Sequence, residues 1–311
     1  MIRRRIGRAL DWRFGAAIAR IDALSGRIER IEAQIEALAA TLADDVRPVL
    51  RAIVDEEAQN RRRLHSLRAS PEYEVPYTER EPLVSITLAT RDRPALLLSR
   101  SLPSLLAQTH THLEVLVVGD AAGPETAAAV AGLADARVRY ANLSQRITAH
   151  RDPARHQLVG STMARNEAAR LARGHWLMHF DDDDVLRPDA IASLLALARE
   201  QRAEVAYGGF EWHLAGAQGT AALAFPPQPG QFGWQGALLH GGLRFFEREL
   251  IAAHLGLAGD VYMLDRMLRV GVRFAMLGRV VWDYMPSGAT GASVIPITSH
   301  TSTTTAGSSP E

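Results

Sequence analysis

The sequence predicts an α/β protein in which a mostly parallel sheet is flanked by helices and preceded by an N-terminal helical region. Between residues 83 and 200, apolar β-branched runs alternate with leucine- and alanine-rich stretches of helical character. Strands that are apolar on both faces and separated by helices are typical of parallel sheets covered on both sides. A heptad pattern precedes this region, and a Ser/Thr-rich stretch ends the chain.

Composition excludes several classes of function. The chain has 311 residues and is 47% hydrophobic, which suffices for a sizeable core and about two domains. Basic and acidic residues balance at 35 each, so no net charge favours nucleic acid as a partner. The chain has neither cysteine nor lysine. This excludes disulfides, thiolate zinc sites, cysteine nucleophiles, Schiff-base lysines and a phosphate-loop lysine.

The amino-terminal residues and the hydropathy predict a cytoplasmic protein. No apolar run approaches the roughly eighteen residues that a membrane span requires, and residues 1–20 contain no apolar signal core. The arginines of this segment leave two interpretations open, namely peripheral contact with acidic lipid at the inner face of the membrane or a solvated helix start. They are Arg3, Arg4, Arg5 and Arg8.

Residues 14–42 carry apolar side chains at alternating spacings of three and four. The pattern predicts a coiled coil, and its mixture of isoleucine and leucine favours a parallel homodimer without excluding a trimer. The alternative is an amphipathic helix packed against the rest of the same chain. The repeat consists of Phe14, Ala17, Ile21, Leu24, Ile28, Ile31, Ile35, Leu38 and Leu42.

The segments that flank the central region also have recognisable composition. Pro48 either breaks the N-terminal helix or opens a second one, and we expect the helical region to end at residue 68. Residues 69–82 contain Pro71, Pro76 and Pro82 and predict an extended linker. Residues 296–311 predict a disordered tail.

Four strands and four helices are expected in the first half of the central region. The strands are 84–90, 113–118, 138–142 and 176–180, and the helices are 94–108, 124–133, 161–173 and 188–200. Ligands bind beyond the carboxyl ends of parallel strands, so the polar residues that follow each strand are candidate site residues. Thr90 and Arg91 follow the first strand, Asp120 the second, and the run Asp181–Asp184 the fourth.

The four consecutive aspartates predict a metal site. Adjacent carboxylates raise each other's pKa unless a cation lies among them, and hard oxygen ligands favour Mg²⁺ or Mn²⁺. The structural alternatives are a solvated loop, a helix cap at Asp184 and, for Asp120, an ordinary turn residue. The position of the run between a buried strand and a leucine-rich helix favours the metal site.

Residues 84–93, 104–120, 164–174 and 180–184 resemble, in this order, the motifs of family 2 glycosyltransferases. The resemblance extends from about residue 83 to residue 286. It implies the Rossmann-like GT-A fold over 83–290, with a nucleotide-sugar-binding half at 83–200 and an acceptor half at 201–290. It also implies an inverting transfer, within polysaccharide biosynthesis, from a nucleotide diphosphate sugar to a hydroxyl of a saccharide or another acceptor.

The resemblance assigns nucleotide-binding roles to several of these residues. Asp120 matches the aspartate that hydrogen-bonds the base, usually uracil, and Arg165 lies where the family contacts the nucleotide. Thr90 and Arg91 end the family's opening strand and are expected to contact the nucleotide sugar. The sequence departs from the family at Gly119, where an acidic residue is usual.

The same resemblance places the metal and the catalytic base. Asp181 and Asp183 match the metal ligands, so Mn²⁺ or Mg²⁺ is the implied cofactor, and Asp182 is expected to face the ribose or share the metal. Residues 259–271 resemble the segment that holds the catalytic aspartate, with Asp260 as the base that deprotonates the acceptor hydroxyl. Capping of a helix by Asp260 is the alternative and is compatible with that role. Asp265 is expected to form a salt bridge.

Other interpretations remain open at this point. The chain is alternatively a catalytically inactive glycosyltransferase-like protein that acts as a coiled-coil interaction module, although the aspartate run together with Asp260 disfavours this. A nucleotidyltransferase requires a basic phosphate-binding loop, for which Arg91 and Arg93 give little support. Several large side chains belong either to the acceptor cleft or to the core, namely His240, Trp212, Trp234 and Trp282.

Overall fold

The computed structural model describes residues 2–147, 152–214 and 217–285. The chain divides into two compact units, one of residues 1–59 and one that begins at Asn60, whereas the sequence predicted a boundary at residue 68. The predicted tail at 296–311 lies outside the described residues, as do the side chains of the N-terminal arginines and of Phe14.

The first unit is helical. Helix α1 (Ile2–Thr41) passes through a π-helical turn (Leu42–Val46) into α2 (Arg47–Arg68), whose last residues belong to the second unit. Pro48 is the second residue of α2 and directly follows the π-helical turn, so the helix continues past this proline. The apolar residues of the repeat from Ile21 to Leu42 are 50–66% exposed. Among the described helices, none combines the length and the hydropathy that a membrane span requires.

The predicted extended linker at 69–82 is wrong in its central part. A 3₁₀ helix (Pro71–Tyr73) and the short helix α3 (Val75–Thr78) occupy it, and the two prolines lie in the first turns of these helices, where their fixed φ is favourable. Tyr73 and Tyr77 are buried in the core. The Tyr77 hydroxyl donates to the Ala203 carbonyl at 3.1 Å. Burial of these aromatic rings holds the segment against the second unit, to which it belongs.

The first half of the second unit is a parallel sheet in the order β3-β2-β1-β4. Its strands lie within one residue of the predicted ranges: β1 (Val84–Thr90), β2 (Leu113–Gly119), β3 (Val138–Asn142) and β4 (Trp176–Asp181). The helices between them are α4 (Pro94–Leu96), which continues through a π-helical turn (Leu97–Ser101) into α5 (Leu102–Leu106), then α6 (Pro124–Gly132), α7 (Pro153–Gln157) and α8 (Thr162–Leu171).

The second half extends the same sheet with mixed strand directions. β8 lies antiparallel between β4 and β6, β9 is parallel to β6, and β5 and β7 pair antiparallel with β9 and β6. The elements are β5 (Val185–Leu186), α9 (Ala190–Gln201), β6 (Val205–Leu214), β7 (Ala217–Thr220), β8 (Ala237–His240), α10 (Gly259–Val270) and β9 (Phe274–Tyr284), with 3₁₀ turns at Trp234–Gly236, Gly241–Phe245 and Leu250–Ala253.

Strand register brings the predicted site residues to one edge of the sheet. Thr90 pairs with Gly119 across β1 and β2, and Ala89 pairs with Asp181 across β1 and β4. The carboxyl ends of these three strands therefore lie level, and the residues that follow them meet above the sheet edge. The apolar side chains of β1, β2 and β4 are buried on both faces, which anchors this edge.

A buried carboxylate, Glu204, ties the segment 60–78 to the sheet. It accepts hydrogen bonds from Arg68 Nε at 2.7 Å, the Tyr73 hydroxyl at 2.8 Å and the Arg273 backbone N–H at 2.9 Å. Burial by itself raises the pKa of Glu204, but the hydrogen bonds, led by that of Arg68, outweigh it and hold the pKa below its ordinary value. His240 stacks on Tyr73 within the same core, so it is a structural residue.

We expect Glu204→Gln to lower the free energy of unfolding by about 1–3 kcal/mol at neutral pH, because charge-assisted hydrogen bonds are lost. A carboxyl whose pKa is depressed on folding stabilises fully above its unfolded pKa, here 4.5, and this stability is lost as pH falls through the lower folded-state pKa. The difference between wild type and variant therefore shrinks in acid. Urea unfolding at several pH values measures it.

Glu72→Gln is the control, since Glu72 is an exposed glutamate one residue before Tyr73. Its substitution is expected to change the unfolding free energy by less than about 0.5 kcal/mol. An equal effect of the two substitutions would contradict the role of Glu204.

Candidate active site at the carboxyl edge of the sheet

Asp182 is the buried centre of the aspartate run. It has no exposed surface and accepts hydrogen bonds from Thr90 Oγ1 at 2.6 Å and from Arg93 Nε at 3.2 Å. Burial raises the pKa of Asp182 to about 6, and the charges of Asp183 and Asp181 act in the same direction. The Thr90 hydroxyl and the Asp182 carboxylate bind each other in the interior, and the contact of both residues with the nucleotide sugar stays a prediction.

The neighbours of Asp182 point in other directions. Asp181 Oδ1 lies 2.6 Å from the Arg165 guanidinium, and Asp181 Oδ2 accepts a hydrogen bond from the Gln235 amide at 2.6 Å. Asp183 Oδ2 accepts from Arg93 at 2.9 Å. Arg165 and Arg93 therefore balance the two carboxylates on opposite sides of the run.

Asp184 is not the helix cap that the sequence allowed. It accepts a hydrogen bond from the Met285 backbone N–H at 3.0 Å, whereas the residue before α9 is Asp189. Asp184 Oδ2 is buried and makes no hydrogen bond. Burial raises the pKa of Asp184 well above its ordinary value, and the charges of Asp181 and Asp183 raise it further. A carboxylate in this position gains from a cation.

Three carboxylates of the run offer a set of metal ligands. One oxygen each from Asp181, Asp183 and Asp184 lies within 4.8 Å of the others. Hard oxygen donors suit Mg²⁺ and Mn²⁺, and the unpaired buried oxygen of Asp184 needs a positive partner. The residues therefore fit a divalent cation, with Asp184 as a ligand candidate that the sequence did not identify.

A cavity of about 290 Å³ opens beside Asp181. Its lining combines charges of both signs with one aromatic wall and includes Arg165, His179, Asp181, Trp234, Arg248 and Asp260. The metal-ligand candidate Asp181, the nucleotide-contact candidate Arg165 and the base candidate Asp260 thus come from β4, α8 and α10 to one space. The family resemblance assigned these three residues to one site together with Asp120, which is not part of this lining.

Asp260 lies in the first turn of α10 and is exposed. Its Oδ1 accepts the Val261 N–H at 2.8 Å, and the Trp234 indole N–H donates to its carbonyl at 3.0 Å. The carboxylate therefore retains an oxygen for a ligand while the helix start orients it. Asp265 forms the expected salt bridge, at 2.8 Å to Arg269.

His179 forms the neutral part of the cavity wall. Burial holds the pKa of His179 well below its ordinary value, and the charges of Arg248 and Arg165 lower it further. Its Nδ1 lies 2.7 Å from Thr87 Oγ1. The positive charge of the wall therefore comes from the two arginines.

Asp120 and Arg91 do not line this cavity. The Asp120 side chain is 8% exposed, and its backbone N–H donates to the Thr90 carbonyl at 2.9 Å, which places it at the neighbouring strand end. Arg91 is exposed and forms no hydrogen bond or ion pair in the described chain. A Cβ at Gly119 would lie closer than 3.0 Å to Asn142 Oδ1 and the Tyr140 hydroxyl, so a side chain there does not fit.

Arg93 is a site residue that the sequence did not identify. The intervening Asp92 has a φ of 51°, in the left-handed region, and its carboxylate accepts the Gly123 N–H at 2.8 Å. This turn directs Arg93 to the aspartates and leaves Arg91 in solvent. The sequence pattern Arg-Asp-Arg gives no sign of which arginine turns inward.

A family model described as glycosyl transferase family 2 matches residues 85–250, which is more than half of the chain. In fold, the chain is similar to S. aureus TarS 1–349, whose structure in complex with UDP-GlcNAc matches with a TM-score of 0.51 and 16% identity over 68% of this chain and 61% of that chain. The sheet and its carboxylate edge are those of a GT-A fold. The chain belongs to glycosyl transferase family 2.

Two curated relatives align with part of the chain. The succinoglycan biosynthesis protein ExoO of Rhizobium meliloti (strain 1021) is 34% identical over 107 residues, which is 34% of this chain and 27% of that protein. The putative colanic acid biosynthesis glycosyl transferase WcaA of Escherichia coli (strain K12) is 28% identical over 120 residues, 37% of each chain. The matches thus span well under half of either relative.

We expect Arg93→Ala to lower the free energy of unfolding by about 2–4 kcal/mol, because it leaves the fully buried Asp182 carboxylate without its cation. Arg91→Ala removes the same kind of side chain two residues earlier. This substitution is expected to change the free energy of unfolding by less than about 0.5 kcal/mol. Chemical unfolding of both variants measures the difference. Equal losses would mean that the ion pair with Asp182 does not stabilise this edge.

Proposed function

We propose that this chain transfers a sugar, with inversion, from a nucleotide diphosphate sugar to an acceptor hydroxyl. The observation that carries the proposal is the cavity shared by Asp181, Arg165 and Asp260. Family membership supports the reaction class. The relatives named for succinoglycan and colanic acid biosynthesis support a saccharide acceptor.

Asp260 acts as the general base. An inverting displacement needs one carboxylate that accepts the proton of the attacking hydroxyl as its oxygen bonds to the anomeric carbon. Asp260 is exposed at the cavity and is held at a helix start, and these features support this role. Trp234 forms the adjacent wall, where an aromatic face can pack on a sugar ring.

The leaving diphosphate is bound on the opposite side of the cavity. Arg165 supplies a half-buried guanidinium there, and Asp181, Asp183 and Asp184 would hold a divalent cation, Mn²⁺ or Mg²⁺. Such an ion neutralises charge that develops on the leaving group. Thr90, Asp182 and Arg93 act as the support that fixes the direction of these ligands.

The nucleotide base binds near Asp120, and we propose a UDP-linked donor. Asp120 lies at the end of the strand next to β1, on the same edge as the aspartate run. Its match to the base-binding aspartate of the family supports uracil. Arg91 is exposed two positions before Arg93 and remains a proposed contact of the nucleotide sugar.

We expect Asp260→Asn to reduce kcat by about 10²–10⁴-fold with little change in donor affinity, because an amide accepts no proton. Asp265→Asn is the matched control on the same helix and should retain near wild-type turnover, since Asp265 forms a half-exposed surface salt bridge. Release of free nucleoside diphosphate from UDP-, GDP- and dTDP-sugars in the presence of Mn²⁺ measures turnover. Full activity of Asp260→Asn would remove the proposed base.

The same assay tests the metal. A chelator should abolish turnover by wild type, and added Mn²⁺ should restore it. Turnover that is unaffected by the chelator would argue against the three-aspartate set while leaving the assignment of Asp260 untouched.

We also propose that the N-terminal helix pairs with a second copy of the chain as a parallel, in-register coiled coil. The exposed stripe repeats with the period that an identical helix matches. In this arrangement Arg27 lies opposite Glu32 of the partner subunit, which gives oppositely charged flanks. In an antiparallel pair, Arg27 would instead face residues of the partner helix that occupy the same heptad position as Arg27, and these include arginine and glutamine.

The absence of cysteine makes this arrangement directly testable. Leu38→Cys, within the stripe, should form an intermolecular disulfide on mild oxidation, because equivalent core positions approach closely only in a parallel pair in register. Ala33→Cys, on the opposite side of the same helix, should not. Light scattering of the full chain should give twice the chain mass. A monomer, or equal cross-linking of both variants, would contradict the proposal.

A further inference from the structure

Arg248 is a buried cation that the proposed function has not yet used. Only 6% of the residue is exposed, and it lines the cavity that contains Asp260. Asn166 fixes its backbone from both sides, since the amide donates to the Arg248 carbonyl at 2.8 Å and accepts the Arg248 N–H at 3.0 Å. The fold therefore holds this guanidinium at the cavity.

The Arg248 guanidinium has no anionic partner in the described chain. Arg266 is buried to a similar extent but donates to the Glu247 carbonyl at 2.6 Å and lies 3.7 Å from Glu249. Arg248, in contrast, forms neither an ion pair nor a side-chain hydrogen bond with any described residue. Burial lowers the pKa of Arg248 to about 10, and the nearby charge of Arg165 contributes. The group is still a cation at neutral pH, and a buried cation without a partner is costly.

The two cavity arginines differ in their contacts with the metal-ligand candidates. Arg165 contacts Asp181 directly, and Asp181 affects its pKa more than Asp260 does. For Arg248 the order is reversed, with Asp260 ahead of Asp181. Arg165 is thus paired with a metal-ligand candidate, whereas Arg248 lines the same cavity as Asp260 and forms no ion pair with those candidates. In an inverting displacement, the base and the acceptor lie on the face of the sugar opposite the leaving diphosphate.

We propose that Arg248 binds an anionic group of the acceptor, so that the acceptor is an acidic saccharide or one that carries a phosphate. This inference rests on the proposed function. A guanidinium pairs with carboxylate or phosphate through two parallel hydrogen bonds. Asp260 and Asp181 line the same cavity, but neither forms an ion pair with Arg248, so a neutral acceptor would leave its guanidinium without a direct anionic partner. Arg248 then discriminates among acceptors by charge and also orients the attacking hydroxyl beside Asp260.

Binding of simple probes tests the charge preference. Glucuronate, glucose 6-phosphate and glucose are titrated against the full chain in the presence of Mn²⁺ and saturating UDP, which occupies the donor side. At least one anionic probe should bind wild type about tenfold or more tightly than glucose, the value of a charge-assisted hydrogen bond. Arg248→Met should lower the affinity for the anionic probe to that for glucose. Arg248→Lys should retain part of the preference for the anionic probe. Thermal unfolding of each variant checks that the fold persists.

The two anionic probes and UDP separate the sources of the anion. A preference for glucuronate indicates an acidic sugar, and a preference for glucose 6-phosphate indicates a phosphate-bearing acceptor. If Arg248→Met instead weakens UDP tenfold, the anion is the donor diphosphate and the inference is wrong. The inference also fails if wild type binds UDP but shows no preference for an anionic probe. If wild type binds none of the nucleoside diphosphates UDP, GDP and dTDP, the proposed function itself fails.

Discussion

The burial of one carboxylate, that of Asp182, determines how the functional edge is built. A carboxylate without contact to water must be matched by donors from the protein, and Thr90 with Arg93 provides them. Successive side chains of a strand point to opposite faces. His179 and Asp181 of β4 therefore share one face, and Asp182 follows them as the first residue of the turn. The hydrogen bonds of Asp182 fix the chain directly after the proposed metal ligand Asp181.

The cavity beside this edge is lined by equal numbers of positive and negative side chains, but not all of them form ion pairs with one another. Its lining contains two guanidinium groups and two carboxylates, but only Arg165 and Asp181 form a direct ion pair. Asp260 and Arg248 are left with capacity for a ligand. A site in which every charge had a close partner would be stable but poor at binding. Here the unpaired members are the residues proposed for the acceptor side, where the sequence motifs of the family say least about the ligand.

Sequence was sufficient for the parts of the fold that depend on local pattern. The first four strands are continuous apolar runs, and the rule that ligands bind at carboxyl ends selected Asp120 and the run Asp181–Asp184, whereas Arg165 and Asp260 came from the family resemblance. Prediction from the sequence failed where a tertiary contact determines the backbone conformation. Residues 71–78 are proline-rich but fold into short helices, because Tyr73 and Tyr77 find partners far along the chain. The antiparallel insertion of β8 also depends on pairing that no local pattern encodes.

The difference between local pattern and tertiary contact also explains why the sequence predicts the residues of the proposed donor side better than those of the proposed acceptor side. The donor side is formed by residues directly after parallel strands, so their positions follow from strand ends. Arg248 comes from an irregular segment between β8 and α10, and its place depends on Asn166, the residue after Arg165 on α8. One helix thus presents a guanidinium to the donor side and clamps the backbone of the guanidinium on the acceptor side. A shift of α8 would move both arginines, so the proposed donor binding and the proposed recognition of acceptor charge would depend on the same helix.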